Sequence, residues 1–207
     1  MIRLIPAFRP GIASAIVVFA TACSPLAPQP DPSRFYVLTS LAESGGAPAS
    51  APDRDLSIGV GPVTLAPYLE RARLVTRVGS NQVQFSEVDR WAEPLSGHFA
   101  RIQATNLGTL LSTRVILYPW YSSTQPDYSV EIYVLRFERS SEGNAQLKTR
   151  WAIREGSGQL LDTRESSFTE RTSAATTEGS VIALSKVAAD LSREIADALR
   201  RLASERP

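Results

Sequence analysis

The chain has one cysteine and one histidine among its 207 residues. A single cysteine cannot form a disulfide framework, and one cysteine with one histidine cannot build a multi-cysteine metal site. We therefore expect no metal and no cofactor, and we expect packing alone to stabilise the fold.

An excess of charge of one sign is also lacking, since 22 Lys and Arg face 21 Asp and Glu. Arg3 and Arg9 precede every acidic residue, so removing the first 22 residues leaves 20 basic against 21 acidic side chains. A net charge near −1 argues against broad attraction to nucleic acid. With 43% hydrophobic residues, the remaining length suits one globular domain with a real core.

The N-terminal apolar run is too short for a bilayer span, which needs about 20 residues. Residues 12–22 form this run of eleven, after the two arginines and before Cys23. A positive start, a short apolar run and small residues before a cut site predict a secretory signal over residues 1–22. Ala20-Thr21-Ala22-Cys23 resembles a bacterial lipobox, although Ala20 stands where leucine is usual.

Lipidation of Cys23 competes with an ordinary cleavage after Ala22 that leaves an unmodified cysteine. The lone thiol favours lipidation, because an unmodified thiol in an oxidising compartment invites intermolecular disulfides. Residues 23–33 then form a proline-rich tether that holds a domain about 30 Å from the lipid, and a disordered N-terminus without a role is the alternative. Ser24 after Cys23 predicts the outer membrane, because Asp is the residue that retains such lipoproteins at the inner one in Gram-negative bacteria.

Residues 34–207 are predicted to form a single α/β domain, a mixed β-sheet packed by two amphipathic helices. The predicted strands are residues 34–38, 56–60, 73–78, 82–85, 114–118, 128–138, 147–154 and 159–170. We expect a loop over 42–53 and an end of the second strand at Gly61-Pro62. Residues 128–138 have Val130, Ile132 and Val134 on one face and Tyr133, Leu135 and Phe137 on the other, and two apolar faces predict a central strand.

The predicted helices span residues 94–111 and 178–202, with Thr176 or Thr177 capping the second. The second helix has apolar residues spaced alternately by three and four, which suits either an oligomeric coiled coil or a helix lying on its own sheet. Ile182, Val187 and Leu199 widen the stripe and favour the sheet.

Catalytic signals are weak throughout the chain. The Gly59-Val60-Gly61 sequence is followed by Pro62 and not by a helix, so it does not match a dinucleotide loop. His98 adjoins the apolar face of the first helix and is interpreted as a structural histidine. Apolar loop residues are more informative, because Tyr68, Leu69, Trp120 and Tyr121 either fold back onto the domain or meet a protein partner or a lipid surface.

Four blocks in this order resemble one family, the ABC-type transport auxiliary lipoproteins that include the PqiC membrane-integrity subunit. The blocks are residues 34–38, 59–63, 67–71 and 90–95. The resemblance implies a non-catalytic outer-membrane lipoprotein facing the periplasm, anchored through Cys23 by lipid such as palmitate. It also implies an MCE-domain protein and an ABC transporter as partners in moving phospholipid or other hydrophobic molecules, and it allows a homo-oligomer.

Two other functions fit a lipoprotein of this build. One is the activation or assembly of another envelope machine, such as a cell-wall synthase. The other is direct carriage of a lipid inside the domain.

Overall fold

The computed structural model describes residues 30–45, 56–121 and 125–205, which form one mixed eight-stranded sheet and two α-helices. The predicted α/β class, mixed sheet and two packing helices are confirmed. Cys23, the signal segment, most of the tether and most of the predicted loop lie outside these residues, so the signal and tether boundaries stay predictions. The elements are β1 (Arg34–Tyr36), β2 (Ser57–Leu65), β3 (Arg73–Arg77), β4 (Val83–Trp91), α1 (Leu95–Leu111), β5 (Arg114–Leu117), β6 (Tyr128–Ser140), β7 (Asn144–Glu155), β8 (Leu160–Arg171) and α2 (Thr177–Glu205), with a 3₁₀ turn at Pro67–Leu69.

The sheet is organised around β6, as its prediction as a central strand requires. Along one edge β6 pairs antiparallel with β7, and β8 continues the sheet beyond β7. Its other edge pairs in parallel with β2 and, near its C-terminal end, with β3. Strands β4 and β1 continue the sheet beyond β3, and β5 continues it beyond β2, so β1 and β5 both lie on the side of β6 away from β7.

Two register shifts correct the predicted strands. The second strand does not end at Gly61-Pro62 but continues to Leu65, with the register against β6 shifting between Val60 and Val63. In β6 the register against β7 shifts between Val134 and Arg136. An extra residue inverts the alternation beyond it. Phe137 is therefore buried, and its predicted position on the same face as the exposed Tyr133 is wrong.

Helix α2 lies on its own sheet, as its broad apolar stripe predicts. The Thr176 hydroxyl accepts the Gly179 N–H at 3.0 Å and caps the start of the helix. Val187, Leu191 and Ile195 are fully buried within one chain, where α2 packs on α1, β7 and β8. In the part of the chain that the structure describes, no helix combines the length and apolarity needed to cross a membrane.

A buried polar network fixes the two helices against each other. The Gln103 side-chain amide donates to the Ala188 carbonyl at 2.9 Å, and the Asn106 amide donates to the Ser192 hydroxyl at 3.1 Å. The Asn106 side-chain oxygen also accepts the Leu41 N–H at 2.7 Å. Because each buried polar group is satisfied only in this arrangement, the network specifies one packing of α1 on α2.

Candidate docking surface

The four predicted partner-binding residues lie in two separate places. Tyr68 and Leu69 belong to the 3₁₀ turn that follows β2, whereas Trp120 and Tyr121 follow β5 at the end of the sheet. Leu69 is 1% exposed and part of the core, so the expectation that it projects from a loop is wrong. Tyr68 is half-buried.

Tyr68 takes part in a buried ionic network. Its hydroxyl donates to Glu138 Oε2 at 2.9 Å, and the Arg77 guanidinium forms an ion pair with the same carboxylate. Glu138 is 0% exposed, so its carboxylate has lost its solvation by water. The Tyr68 hydroxyl and the Arg77 guanidinium offset this cost. Burial, and then the hydrogen bond to Glu138, raise the pKa of Tyr68. The turn is thereby fastened to β3 and β6.

An apolar cluster lies at the end of β5, which we call the β5 surface: Leu117, the last residue of the strand, and Tyr118, Trp120 and Tyr121 after it. Trp120 is half-buried and the other three are exposed. The rings of Tyr118 and Trp120 meet edge to face, with centroids 5.2 Å apart and planes at 87°. Tyr118 is 55% exposed and Tyr121 is 76% exposed. Aromatic side chains at such exposure supply the contact area that protein interfaces favour.

Two glycines of β2 lie directly beneath Trp120 and Tyr118 and leave space for them. A Cβ atom on Gly59 would lie 2.8 Å from Trp120 Cζ3, and one on Gly61 would lie 2.7 Å from Tyr118 Cβ. Gly61 also has a φ of +118°, which side chains rarely adopt. The Gly59-Val60-Gly61 pattern, which does not match a dinucleotide loop, therefore lets the aromatic rings lie directly on the sheet.

The segment that carries the β5 surface contains no acidic residue. None occurs from residue 94 to residue 126, a stretch that contains Arg101 and Arg114, although Asp127 follows and its carboxylate accepts the N–H of Ser57, the register partner of Arg114, at 2.8 Å. Arg101 forms an ion pair with Glu93, whereas Arg114 forms none within the described ranges. A shallow groove lies between α1 and β5, lined by Ala104, Gly108, Val115 and Leu117 among others. The arrangement suits contact with an apolar or acidic protein segment.

His98 is buried and has the role of a structural histidine. Its Nε2 accepts the Leu38 N–H at 3.2 Å, and its Nδ1 lies 3.9 Å from Glu93 Oε1. Burial lowers the pKa of His98 and outweighs the opposing effect of Glu93. The imidazole is one of several acceptors for the segment after β1, since the Ser185 hydroxyl accepts the Thr39 N–H at 3.0 Å.

Cavities of two kinds occur among the described residues. An open one of about 450 Å³ lies between the segment after β1 and α2, lined by Thr39, Leu41 and Ile182 among others. An apolar cavity of about 50 Å³ lies near the C-terminal ends of both helices, lined by Leu56, Ile58, Leu111 and Leu199 among others. Binding pockets for small molecules usually measure roughly 300–1,000 Å³, so this cavity does not suit a lipid. Among the side chains that the structure describes, no group of three or more His, Cys, Asp or Glu is placed to hold a metal ion.

The comparisons with known proteins agree with the fold. The model of the family described as "ABC-type transport auxiliary lipoprotein component" matches residues 36–196. No curated protein matches the chain.

Among solved structures, an uncharacterised protein is similar with a TM-score of 0.68 and 19% identity, covering 81% of this chain and 98% of its own. A DUF330 protein from Xanthomonas campestris is similar with a TM-score of 0.65 and 17% identity. The match covers 79% of this chain and 92% of the Xanthomonas chain. A PelC dodecamer from Paraburkholderia phytofirmans reaches a TM-score of only 0.39 at 15% identity. That match covers 72% of this chain and 89% of the PelC chain.

Proposed function

Because the chain belongs to the family of ABC-type transport auxiliary lipoprotein components, we propose that it is a non-catalytic auxiliary subunit of a transport system in the envelope. The system contains an MCE-domain protein and an ABC transporter, and it moves phospholipid or another hydrophobic molecule between the two membranes. The family match over residues 36–196 is the observation that carries this proposal.

Its location follows from the N-terminal sequence. The signal is removed before Cys23, whose lipidation holds the chain in the outer membrane with the domain facing the periplasm. Each buried CH₂ contributes about 0.8 kcal/mol, so several acyl chains hold firmly where one would exchange. The tether of residues 23–33 leaves the folded domain within reach of proteins in the periplasm.

The β5 surface is the site at which the partner docks. Tyr118, Trp120 and Tyr121 supply apolar area on a stretch of sequence without acidic residues, and among the described strands β5 pairs with β2 alone. At the 3₁₀ turn, Tyr68 is the residue available to a partner, held in place by its ionic network with Glu138 and Arg77. Leu69 is buried and does not take part in docking.

A pull-down from detergent-solubilised envelope tests the function and the surface together. We expect the full chain to recover an MCE-domain protein, and we expect Tyr121→Ala to reduce the recovery several-fold, because exposed interface aromatics are frequent hot spots. Ile182→Ala, at a residue of α2 that is 46% exposed, is the matched control and should leave the recovery unchanged.

Two outcomes would count against the proposal. Recovery of a cell-wall synthase without any MCE-domain protein would assign the chain to another envelope machine. Equal recovery by Tyr121→Ala and by the unaltered chain would place the docking site elsewhere.

A further inference from the structure

Strand β1 exposes apolar side chains where a sheet edge normally exposes polar ones. Burial alternates along the segment, with Tyr36 and Leu38 turned toward the core and Phe35 and Val37 turned outward. Phe35 is 63% exposed and Val37 is 54% exposed. Neither is needed for the core, and two neighbouring outward apolar residues mark a contact with something outside the domain.

Two arginines extend this surface across the neighbouring strands. Phe35 is in register with Arg90 of β4, and Arg90 is in register with Arg73 of β3. Residues in register share a face of the sheet, so the two guanidinium groups are cross-strand neighbours of like charge, which is unfavourable without an anion. In the ranges that the structure covers, neither arginine forms an ion pair; Arg90 donates to the Ser33 hydroxyl at 3.1 Å.

Three acidic residues near the patch are held by other groups. Asp89 lies on the opposite face of β4, where it is buried and bonded to Arg34 at 2.8 Å and to Thr177 at 3.0 Å. Glu43 accepts the Ser40 N–H at 2.8 Å, and Glu93 is engaged by Arg101. The surface formed by Phe35, Val37, Arg73 and Arg90, which we call the β1 patch, therefore combines apolar side chains with two arginines that form no ion pair among the described residues.

The short segment between Cys23 and β1 keeps the patch close to the membrane that holds the lipid anchor. Ser33 is ten residues beyond Cys23, and the described strand begins at the next residue. About 30 Å is therefore the greatest distance between the anchor and β1, and a tether that runs along the membrane lets β1 touch it. We propose that the β1 patch lies on the phospholipid surface that holds the anchor, with Phe35 and Val37 at the boundary of headgroups and acyl chains and Arg73 and Arg90 facing lipid phosphates. This inference rests on the lipid anchor of the proposed function.

The β1 patch and the β5 surface are separate surfaces of the sheet. Strands β3 and β2 share one edge of β6, at its C-terminal and N-terminal parts, so β1 and β5 both lie on the side of β6 away from β7. The two surfaces have no residue in common, so a contact of β1 with lipid leaves Tyr118, Trp120 and Tyr121 uncovered by that contact. The anchor and the patch together would fix the orientation of the domain, which a flexible tether alone cannot do.

Fluorescence quenching on vesicles tests the proposal. The full chain is lipidated in a Gram-negative host and reconstituted into phosphatidylethanolamine–phosphatidylglycerol vesicles that carry a lipid-bound quencher. Because acylation blocks Cys23, the variant Val37→Cys offers one thiol for an environment-sensitive fluorophore. Leu160→Cys is the matched control, at a residue of β8 that is 48% exposed and lies beyond the opposite edge of β6. We expect quenching of at least about twofold at residue 37 and none at residue 160, because only the first lies at the headgroup boundary.

Charge reversal supplies a second measurement. In the Val37→Cys background, Arg73→Glu should lower the quenching, whereas Arg114→Glu, at an exposed arginine of β5, should leave it unchanged. Chains that float with the vesicles but show no quenching at residue 37, or equal quenching at residues 37 and 160, would overturn the patch and leave the anchor intact. Chains that do not float would overturn the anchor and the patch together.

Discussion

Replacing Leu191 by aspartate is expected to abolish the folded state of the domain. Leu191 is fully buried in the middle of α2. Truncating a buried leucine alone costs about 2–5 kcal/mol, and the new carboxylate would be buried without a partner. Domains of this size have roughly 5–15 kcal/mol of stability in total, so the variant should lack the cooperative thermal transition of the unaltered protein in circular dichroism.

Ile182→Asp provides the control on the same helix. Ile182 is nearly half exposed, so its replacement should change the free energy of unfolding by about 0.5 kcal/mol or less. A Leu191→Asp protein that is folded and monomeric would contradict the packing described here and would indicate that α2 serves oligomerisation, not the core.

Removing the Arg77 guanidinium is expected to have the second largest effect. The fully buried Glu138 carboxylate has two described partners, the Arg77 guanidinium and the Tyr68 hydroxyl. Arg77→Met removes the first and leaves only the second. Breaking a buried ion pair from one side costs about 3–5 kcal/mol, because the remaining charge is uncompensated. Urea unfolding should register this loss as a lower midpoint with an unchanged slope.

The double variant Arg77→Met/Glu138→Met separates the ion pair from simple packing. Replacing both partners by apolar groups removes the uncompensated charge, and the Tyr68 hydroxyl retains the Leu135 carbonyl at 3.3 Å. The double variant should therefore recover much of the lost stability. A single variant that loses less than about 1 kcal/mol, or a double variant as unstable as the single one, would show that the network does not fasten the turn.

The elements whose evidence is local could be predicted from the sequence. The stripe of α2, the start of α1 after Pro94 and the β3–β4 hairpin all depend on residues close together in the chain, and the structure confirms them. Pairings between distant segments could not be predicted, because no local pattern specifies that β2 lies in parallel between β5 and β6. The two register shifts were missed for the same reason, since each is defined only against a partner strand.

The candidate surfaces were predicted only in part. Trp120 and Tyr121 were identified as loop aromatics, but Tyr118 and the glycines beneath the cluster depend on the close approach of the segment after β5 to β2. Phe35 and Val37 belong to a continuous apolar run, residues 35–38, which does not indicate which face is outside. The prediction that Leu69 is exposed is wrong because a loop that begins with proline can also form a turn that packs on the core, as Pro67–Leu69 does.

Mass spectrometry of the protein isolated from its native envelope tests the central claim most directly. The account predicts a mature chain that begins at Cys23, with its thiol and N-terminus carrying acyl groups, and that fractionates with the outer membrane. A free thiol at Cys23, in a protein found mostly in the soluble periplasmic fraction, would contradict the account.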